Sequence, residues 1–323
     1  MTDTLAPPAP SPQRARTLAW LQENGVYVAL AAVVVVNAVI TPNFLTVASL
    51  RTQAIQVVPV LIIALGLALV IGTEGIDLSV GSVMALTAAV VPLYLGYGAL
   101  PAVLAALAVA ACVGVVNGWL VAVIGVQPIV ATLALLVGGR GLALVFAGGQ
   151  SKDIENEALL ALGSDELLGV PYVVLVALVL TLLVAFLVRR TTFGRQLVAI
   201  GGNRTASDLA GLPVRRVLIV VYVISALLAC VAGLIATARL EASDPSTIGN
   251  LIELSAITAV VVGGTPLSGG RVRILGTVAG ALLMHLIRVT LITQDVPDSA
   301  AQMIQAAIIV AAVYVQRGRG TGQ

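Results

Sequence analysis

The sequence predicts an all-α polytopic membrane protein of about ten transmembrane helices with both termini in the cytosol. Three observations lead there. The 323-residue chain is 59% hydrophobic and 10% charged, where soluble domains carry about 25% charged residues, so it lacks the polar groups to clothe itself in water. Its apolar runs are continuous, as in 29–36 and 57–71. Barrel strands would alternate, which leaves the helix as the way to satisfy the backbone in lipid. Its basic residues, finally, fall on one side of any regular threading.

A spanning helix takes about 20 apolar residues. Candidates lie near 26–41, 56–72, 79–97, 100–124, 128–147, 171–188, 217–238, 254–264, 274–292 and 300–316. The eighth is short, either a half-helix or one that starts earlier. With the N-terminus in the cytosol, twelve arginines face inward: Arg14, Arg16, Arg189, Arg190, Arg195, Arg204, Arg215, Arg216, Arg271, Arg273, Arg317 and Arg319. Three basic residues face outward, Arg51, Lys152 and Arg239. The outer loops collect acids instead, among them Asp153, Glu155, Glu157, Asp165, Glu166, Glu241, Asp244, Asp295 and Asp298. Cytosolic loops are the basic ones, and an odd number of spans would separate the two basic ends.

The organisation that follows is a polar tail over 1–25, a single membrane domain over 26–316 with a cytosolic segment at 189–216, and a tail over 317–323. No small-residue cleavage site follows the first apolar run, where Ile40-Thr41-Pro42 stands, so that run reads as a retained helix. The acidic stretch 148–169 has room for a short helix. Cys112 and Cys230 sit within apolar runs and read as buried packing residues. Asp77-Leu78-Ser79-Val80-Gly81 and Pro266-Leu267-Ser268-Gly269-Gly270 form a faint internal echo, of interest because transporters are often built from repeats.

Several chemistries are excluded. A phosphate-cradling loop ends in Gly-Lys-Ser/Thr, and Lys152, the only lysine, follows Ser151. A single histidine, His285, rules out a His-x-x-x-His zinc site, and no Gly-x-Ser-x-Gly elbow occurs. His285 reads as a hydrogen bond between helices. No cofactor is expected in this chain and no nucleic-acid partner is indicated.

Three segments carry polar chemistry. In Gly72–Ser82, Glu74 and Asp77 lie between apolar runs, where charges usually face a cavity or a partner. Asp77 or Ser79 either caps the following helix or lines a transport path, and the two roles are compatible. Asn117, Gln127, Thr132 and Arg140 form a second set. Arg140 lies inside the fifth apolar run, where it needs a carboxylate, a carbonyl or water, and a pore-facing role and a structural ion pair both stay open. Neighbouring Gly138, Gly139 and Gly141 allow close helix contact. Neutral polar lining suits the hydroxyls of a sugar.

The third segment reads as a short cytosolic helix. Asn203 caps its start, Thr205 and Asp208 have capping-box spacing, Gly211 suits the C-terminal position and Pro213 stops continuation. Ala206, Leu209 and Ala210 make a small apolar face. Two turns are too short to persist unaided, so this helix docks on the membrane surface, on neighbouring loops or in the groove of a partner.

With these residues in hand, the chain resembles the ribose, xylose and galactofuranose class of ABC sugar-importer permeases from about Asn43 to Gln316. The motifs are Gly75-Ile76-Asp77-Leu78-Ser79-Val80-Gly81-Ser82, then Gln127-Pro128-Ile129-Val130-Ala131-Thr132-Leu133 with Gly139-Arg140-Gly141, then Phe193-Gly194-Arg195 with Ala199-Ile200-Gly201-Gly202-Asn203. The last is Glu253-Leu254-Ser255-Ala256-Ile257 with Val262–Arg271. The Gln-Pro-Ile-Val-Ala-Thr-Leu wording is most similar to the galactofuranose type.

The resemblance implies a type II importer fold in a bacterial inner membrane. It implies a second permease copy with a pore between the copies, a cytosolic ATPase subunit that binds ATP and Mg, and an extracytoplasmic sugar-binding protein. It also implies that the match to Ala199–Gly211, with Gly201, Gly202, Asn203, Thr205, Ala206, Asp208, Leu209 and Gly211, is the coupling helix on the ATPase. Glu74 stands where the family usually has Gly and Ser255 where it usually has Asp. Two other functions compete: an ion-coupled secondary transporter using Glu74 and Asp77 as coupling acids, and a membrane enzyme acting on lipid, for which no nucleophile–base set is present.

Overall fold

The computed structural model describes residues 12–317; Arg319 and the tail positions 1–11 and 318–323 lie outside the described residues. In chain order the helices are α1 (Pro12–Ile40), α2 (Val47–Gly72), α3 (Val80–Tyr94), α4 (Ala99–Trp119), α5 (Pro128–Ala147), α6 (Glu157–Ser164), α7 (Tyr172–Arg190), α8 (Thr192–Gly202), α9 (Arg204–Leu209), α10 (Val214–Leu240), α11 (Ile252–Val262), α12 (Ile274–Thr293) and α13 (Asp298–Arg317). A 3-10 turn extends α3 to Tyr97, and a π turn extends α4 to Ile124. Seven of these segments are long and apolar enough to cross a membrane: 47–72, 80–97, 99–124, 128–147, 172–190, 214–240 and 274–293. Residues 24–40 and 252–262 are shorter apolar helices.

Local chemistry sets the element ends. Thr46 accepts from the Ser49 amide at the start of α2 and Asn156 from the Leu159 amide at the start of α6, each satisfying an orphan helix donor. Pro128 opens α5, where its missing N–H costs nothing. The polar stretch from Pro12 is helical and runs straight into the apolar part of α1.

The core is built by α10, on which α2 and α3 both pack, with α4 laid along α10. Small residues permit the approach: a side chain at Gly114 or Gly118 would fall 2.6 Å from the backbone of Val223 or Ile219. With no hydrophobic drive between helices in lipid, such backbone approach is a main source of association. By contrast α7 turns Leu178, Val179, Leu182, Leu183 and Phe186 outward, a face suited to lipid. Cys230 is buried, whereas Cys112 is exposed on α4, because its side chain lies on the face of α4 turned away from α10; the expectation that both are buried is corrected for Cys112.

The chain folds as two similar halves. In each, a long helix (α2 or α10) is followed by an irregular segment, a short helix (α3 or α11), and then two further helices. The contacts repeat: α10 packs on α4 as α2 packs on α12, α3 lies against α4 as α11 lies against α12, and α3 touches α10 as α11 touches α2. The two long helices run antiparallel, with Gly66 against Ser225 and Gly75 against Tyr222. The repeat therefore pairs Thr73–Ser79 with Glu241–Leu251, both leading into a short helix. The Asp77–Gly81 and Pro266–Gly270 echo is a different relationship: the second segment packs beside the end of α2, where the Gly270 amide donates to the Gly72 carbonyl.

The bundle has an arginine-rich end and an acidic end. At the first, Gly201 of α8 touches Gly72 and Gly270 backbone to backbone. At the second, Lys152–Asp153 pairs antiparallel with Ala242–Ser243, and Glu166–Leu167 folds back on Val170–Pro171 through Leu168 and Gly169, both at positive φ as a two-residue hairpin turn requires. Glu166 reaches Arg51 at the start of α2.

Candidate functional site

Four of the seven polar residues singled out for a transport path converge on one place, the break between α2 and α3. From Thr73 the chain turns back into the bundle and begins α3 at Val80. Asp77 is buried there at 1% exposure. Its Oδ1 accepts from the Ser79 amide at 3.0 Å and the Ser79 hydroxyl at 2.6 Å, and its Oδ2 accepts from Ser225 of α10 at 2.9 Å. Asn117 of α4 donates to Ser79 Oγ at 2.8 Å. Thr132 of α5 donates to the Ile76 carbonyl at 3.2 Å, and Ser82 donates to the Leu135 carbonyl at 2.9 Å. The break is thus held from α4, α5 and α10 by side-chain hydrogen bonds, which a non-helical backbone inside a membrane bundle requires.

Asp77 forms an Asx turn with Ser79 rather than capping α3 itself, and Ser79, at the N-cap, makes no side-chain cap bond. Asn117 Oδ1 and Tyr222 Oη are buried without a hydrogen-bond partner. Two of the seven residues stand apart. Glu74 is exposed at the arginine-rich end with φ +63°, and Gln127 is exposed at the start of α5. Glu74 and Asp77 are therefore not a joined pair of acids.

Arg140 does something the sequence reasoning left open. Its guanidinium donates to the carbonyls of Pro245 at 3.0 Å, Ser246 at 3.4 Å and Ile248 at 3.4 Å, and to Gly81 at 3.5 Å. The partner is backbone, not a carboxylate. Glu253, at 5% exposure, lies within electrostatic range but does not pair with it. Of the three glycines beside Arg140, only Gly139 makes a close contact, against Ser82; Gly138 and Gly141 face open space. Arg140 thus straps segment 245–248 to the start of α3, and there the starts of the two short helices meet: a side chain at Gly81 would strike the Gly249 carbonyl and Glu253.

The same strap borders a sizeable, partly open cavity. About 550 Å³ is enclosed between it, α2, α11, α12 and α13, lined by Val60, Thr247, Asn250, Ser255, Thr258, Arg288, Gln302 and apolar neighbours. A smaller space of about 260 Å³ shares Val60, Ser255 and Arg288 and continues past Gln56, Met284 and His285. His285 Nε2 and Gln53 Oε1 lie 2.8 Å apart, the interhelical hydrogen bond expected of this histidine. None of the seven expected residues lines either space. The signal that points to this cavity is polar pairs at helical spacing inside apolar helices: Gln53 and Gln56, Ser255 and Thr258, His285 and Arg288.

At the arginine-rich end, α8 and α9 form an elbow. Thr191 accepts from the Gly194 amide to start α8, an amphipathic helix that the sequence reading did not separate from its surroundings. Asn203 accepts from the Ala206 amide at 2.8 Å and starts α9. Thr205 lies inside α9 and Asp208 near its end, so the capping-box role is corrected to an Asn203 cap. Gly211 follows at φ +78°, the left-handed position favoured after a helix. Ser207 turns inward, whereas Leu209 is 86% exposed and Thr205, Ala206, Asp208 and Ala210 face outward with it.

Comparison with known proteins gives a consistent picture. Residues 49–313 match the model of a family described as branched-chain amino acid transport system / permease component. The ribose import permease protein RbsC of Escherichia coli strain K12 is 39% identical over 311 residues, covering 94% of this chain and 97% of its own. The fructose import permease protein FruF of Bifidobacterium longum is 40% identical over 262 residues, covering 79% and 74%. The galactofuranose transporter permease protein YtfT of Escherichia coli strain K12 is 37% identical over 302 residues, covering 90% and 89%. No solved structure matches the chain.

Proposed function

The chain belongs to the family of branched-chain amino acid transport system permease components, and from that premise we propose that it is the membrane-spanning, non-catalytic subunit of an ATP-binding-cassette importer for a monosaccharide. The substrate class rests on relatives named for ribose, fructose and galactofuranose. In this reading ten segments cross the inner membrane, and the arginine-rich end with both termini faces the cytosol. A second permease copy, a cytosolic ATPase carrying ATP and Mg, and an extracytoplasmic sugar-binding protein complete the importer.

The observation that carries the reading is Leu209. A leucine 86% exposed on a six-residue helix beside Arg204, Arg215 and Arg216 is a knob in need of a groove, and the ATPase supplies it. The connection inward is short. Gly201 abuts Gly72, Gly72 ends α2, and α2 leads directly into the Asp77 break. A shift of α8 and α9 driven by nucleotide is thereby passed to the hinge between α2 and α3. Asp77, Ser79, Asn117 and Thr132 serve as the lock of that hinge and Arg140 as its tie to the opposite half. Glu74 and Gln127 mark its cytosolic margin.

Reconstitution tests this. Proteoliposomes holding the chain, its ATPase and its binding protein take up sugar only with internal or external ATP on the ATPase side, and the chain alone takes up none. Uptake by the chain alone under a proton or sodium gradient would overturn the proposal in favour of an ion-coupled carrier.

A further inference from the structure

The cavity bounded by α2, α11, α12, α13 and the 244–251 strap has no assigned role. We propose that it is a sugar-binding station on the transport route, with Asn250, Ser255, Thr258, Arg288 and Gln302 as its polar lining and Gln56 in the smaller space beside it. The proposal rests on the importer reading above and deepens it.

The first argument is placement. Three helices each carry two polar residues three positions apart within largely apolar stretches, Gln53 and Gln56, Ser255 and Thr258, and His285 and Arg288, so each pair faces one way. All three pairs face this space or its wall: Ser255 and Thr258 line it, Arg288 and Gln56 line it or its extension, and the His285–Gln53 contact pins α12 to α2 alongside. A guanidinium turned to acyl chains costs a few kcal/mol even on the lowest scales, so this face is wet or covered, not lipid-facing.

The second argument is size and chemistry. About 550 Å³ lies within the range of roughly 300–1,000 Å³ typical of small-ligand sites. The lining of the larger space offers hydroxyls from Thr247, Ser255 and Thr258 and amides from Asn250 and Gln302, with one cation and no carboxylate. The Thr247 and Thr258 hydroxyls already donate to Asp244 and to the Leu254 carbonyl and keep lone pairs that accept, Ser255 can do both, and the planar fork of Arg288 matches two adjacent oxygens. That set fits a neutral polyol better than a cation. Ser255 lines both spaces.

The test uses the complete transporter, with binding protein and ATPase, in proteoliposomes. Uptake of labelled D-ribose, L-arabinose, D-fructose and D-galactose first identifies the transported sugar. Ser255→Cys is then introduced with the exposed Cys112 replaced by Ser, and treated with a charged methanethiosulfonate reagent. Modification lowers uptake by about tenfold or more, the transported sugar slows modification severalfold, and ATP hydrolysis continues. Gln56→Leu and Arg288→Met raise the KM for sugar or change the sugar preference at unchanged thermal stability. Complete modification with unchanged uptake, or no modification in an active transporter, overturns the station and leaves the importer reading standing. Absence of uptake of every sugar by the unmodified, ATP-hydrolysing transporter overturns the importer reading itself, and this inference with it.

Discussion

Ser225 donates its hydroxyl to Asp77 at 2.9 Å, across 148 residues of chain. The bond ties the middle of α10 to the break before α3, and both residues are 1% exposed. Removing the hydroxyl leaves a buried carboxylate oxygen short of a donor, at a cost of about 1–3 kcal/mol. Ser225→Ala is therefore expected to lower the thermal midpoint in detergent, and Ser225→Thr, which keeps a hydroxyl, to lower it less. Equal midpoints for Ser225→Ala and the parent protein would count against this bond as a support of the break.

Glu74 occupies a left-handed backbone position, φ +63°. That conformation costs a residue with a side chain about 1–2 kcal/mol, and glycine avoids it while losing more chain entropy on folding. Glu74→Gly is expected to raise stability by about 0.5–1 kcal/mol net, read as a higher midpoint in the same assay. A drop would mean that the carboxylate itself stabilises the end of α2.

The break also shows what a linear reading can and cannot reach. Composition and apolar run length made the helical membrane class plain, and the capped helix at 203–211 was legible because Asn203 and Gly211 act within a few residues of themselves. The resemblance marked Glu74 as unusual, and the positive φ gives the reason glycine suits that place. The convergence of Asp77, Asn117, Thr132 and Ser225 was not legible, since it depends on which faces of four helices meet. The cavity was missed for a related reason. Gln56, Arg288 and Gln302 lie on three helices far apart in the chain, and only packing sets them around two adjoining spaces. The short α11 was visible as a deficit of length, but the strap that replaces its missing turns was not, because segment 241–251 carries no periodicity.

Arg140 holds four carbonyls and no carboxylate. Lysine keeps the charge but offers a compact ammonium instead of a fork, so it cannot span Gly81 and Pro245 together. Arg140→Lys is expected to retain most of the stability and lose uptake by about tenfold, and Arg140→Ala to lose both. Uptake by Arg140→Lys at the parental rate would show that charge alone suffices there.

Asp244 stands at the outer turn of the strap, where Ser246 Oγ donates to it at 2.5 Å and Thr247 Oγ1 at 2.8 Å. The Ser246 hydrogen bond above all holds its carboxyl below the ordinary value of 3.8. A depressed carboxylate contributes its stabilisation above the unfolded value and loses it as pH falls through the folded one. The turn is thus at full strength from neutral pH down to about 4. Titration of Asp244 is expected to leave uptake flat between pH 7 and 5, and Asp244→Asn to lower it by a similar factor at both. A deficit in Asp244→Asn that vanishes at pH 5 would contradict the depressed carboxyl.

Coupling and folding separate at the α8–α9 elbow. Gly201 touches Gly72 and Gly270 through backbone atoms, and a methyl group there has no flexible neighbour to displace. Gly201→Ala must move α8 away from α2, and is expected to lower stability and transport together. Leu209 is 86% exposed, so Leu209→Asp is expected to leave the stability within about 0.5 kcal/mol of the parent while abolishing sugar-stimulated ATP hydrolysis. Co-purification of the ATPase with each variant checks the distinction. Parental ATPase binding and uptake by Leu209→Asp would remove α9 from the coupling surface.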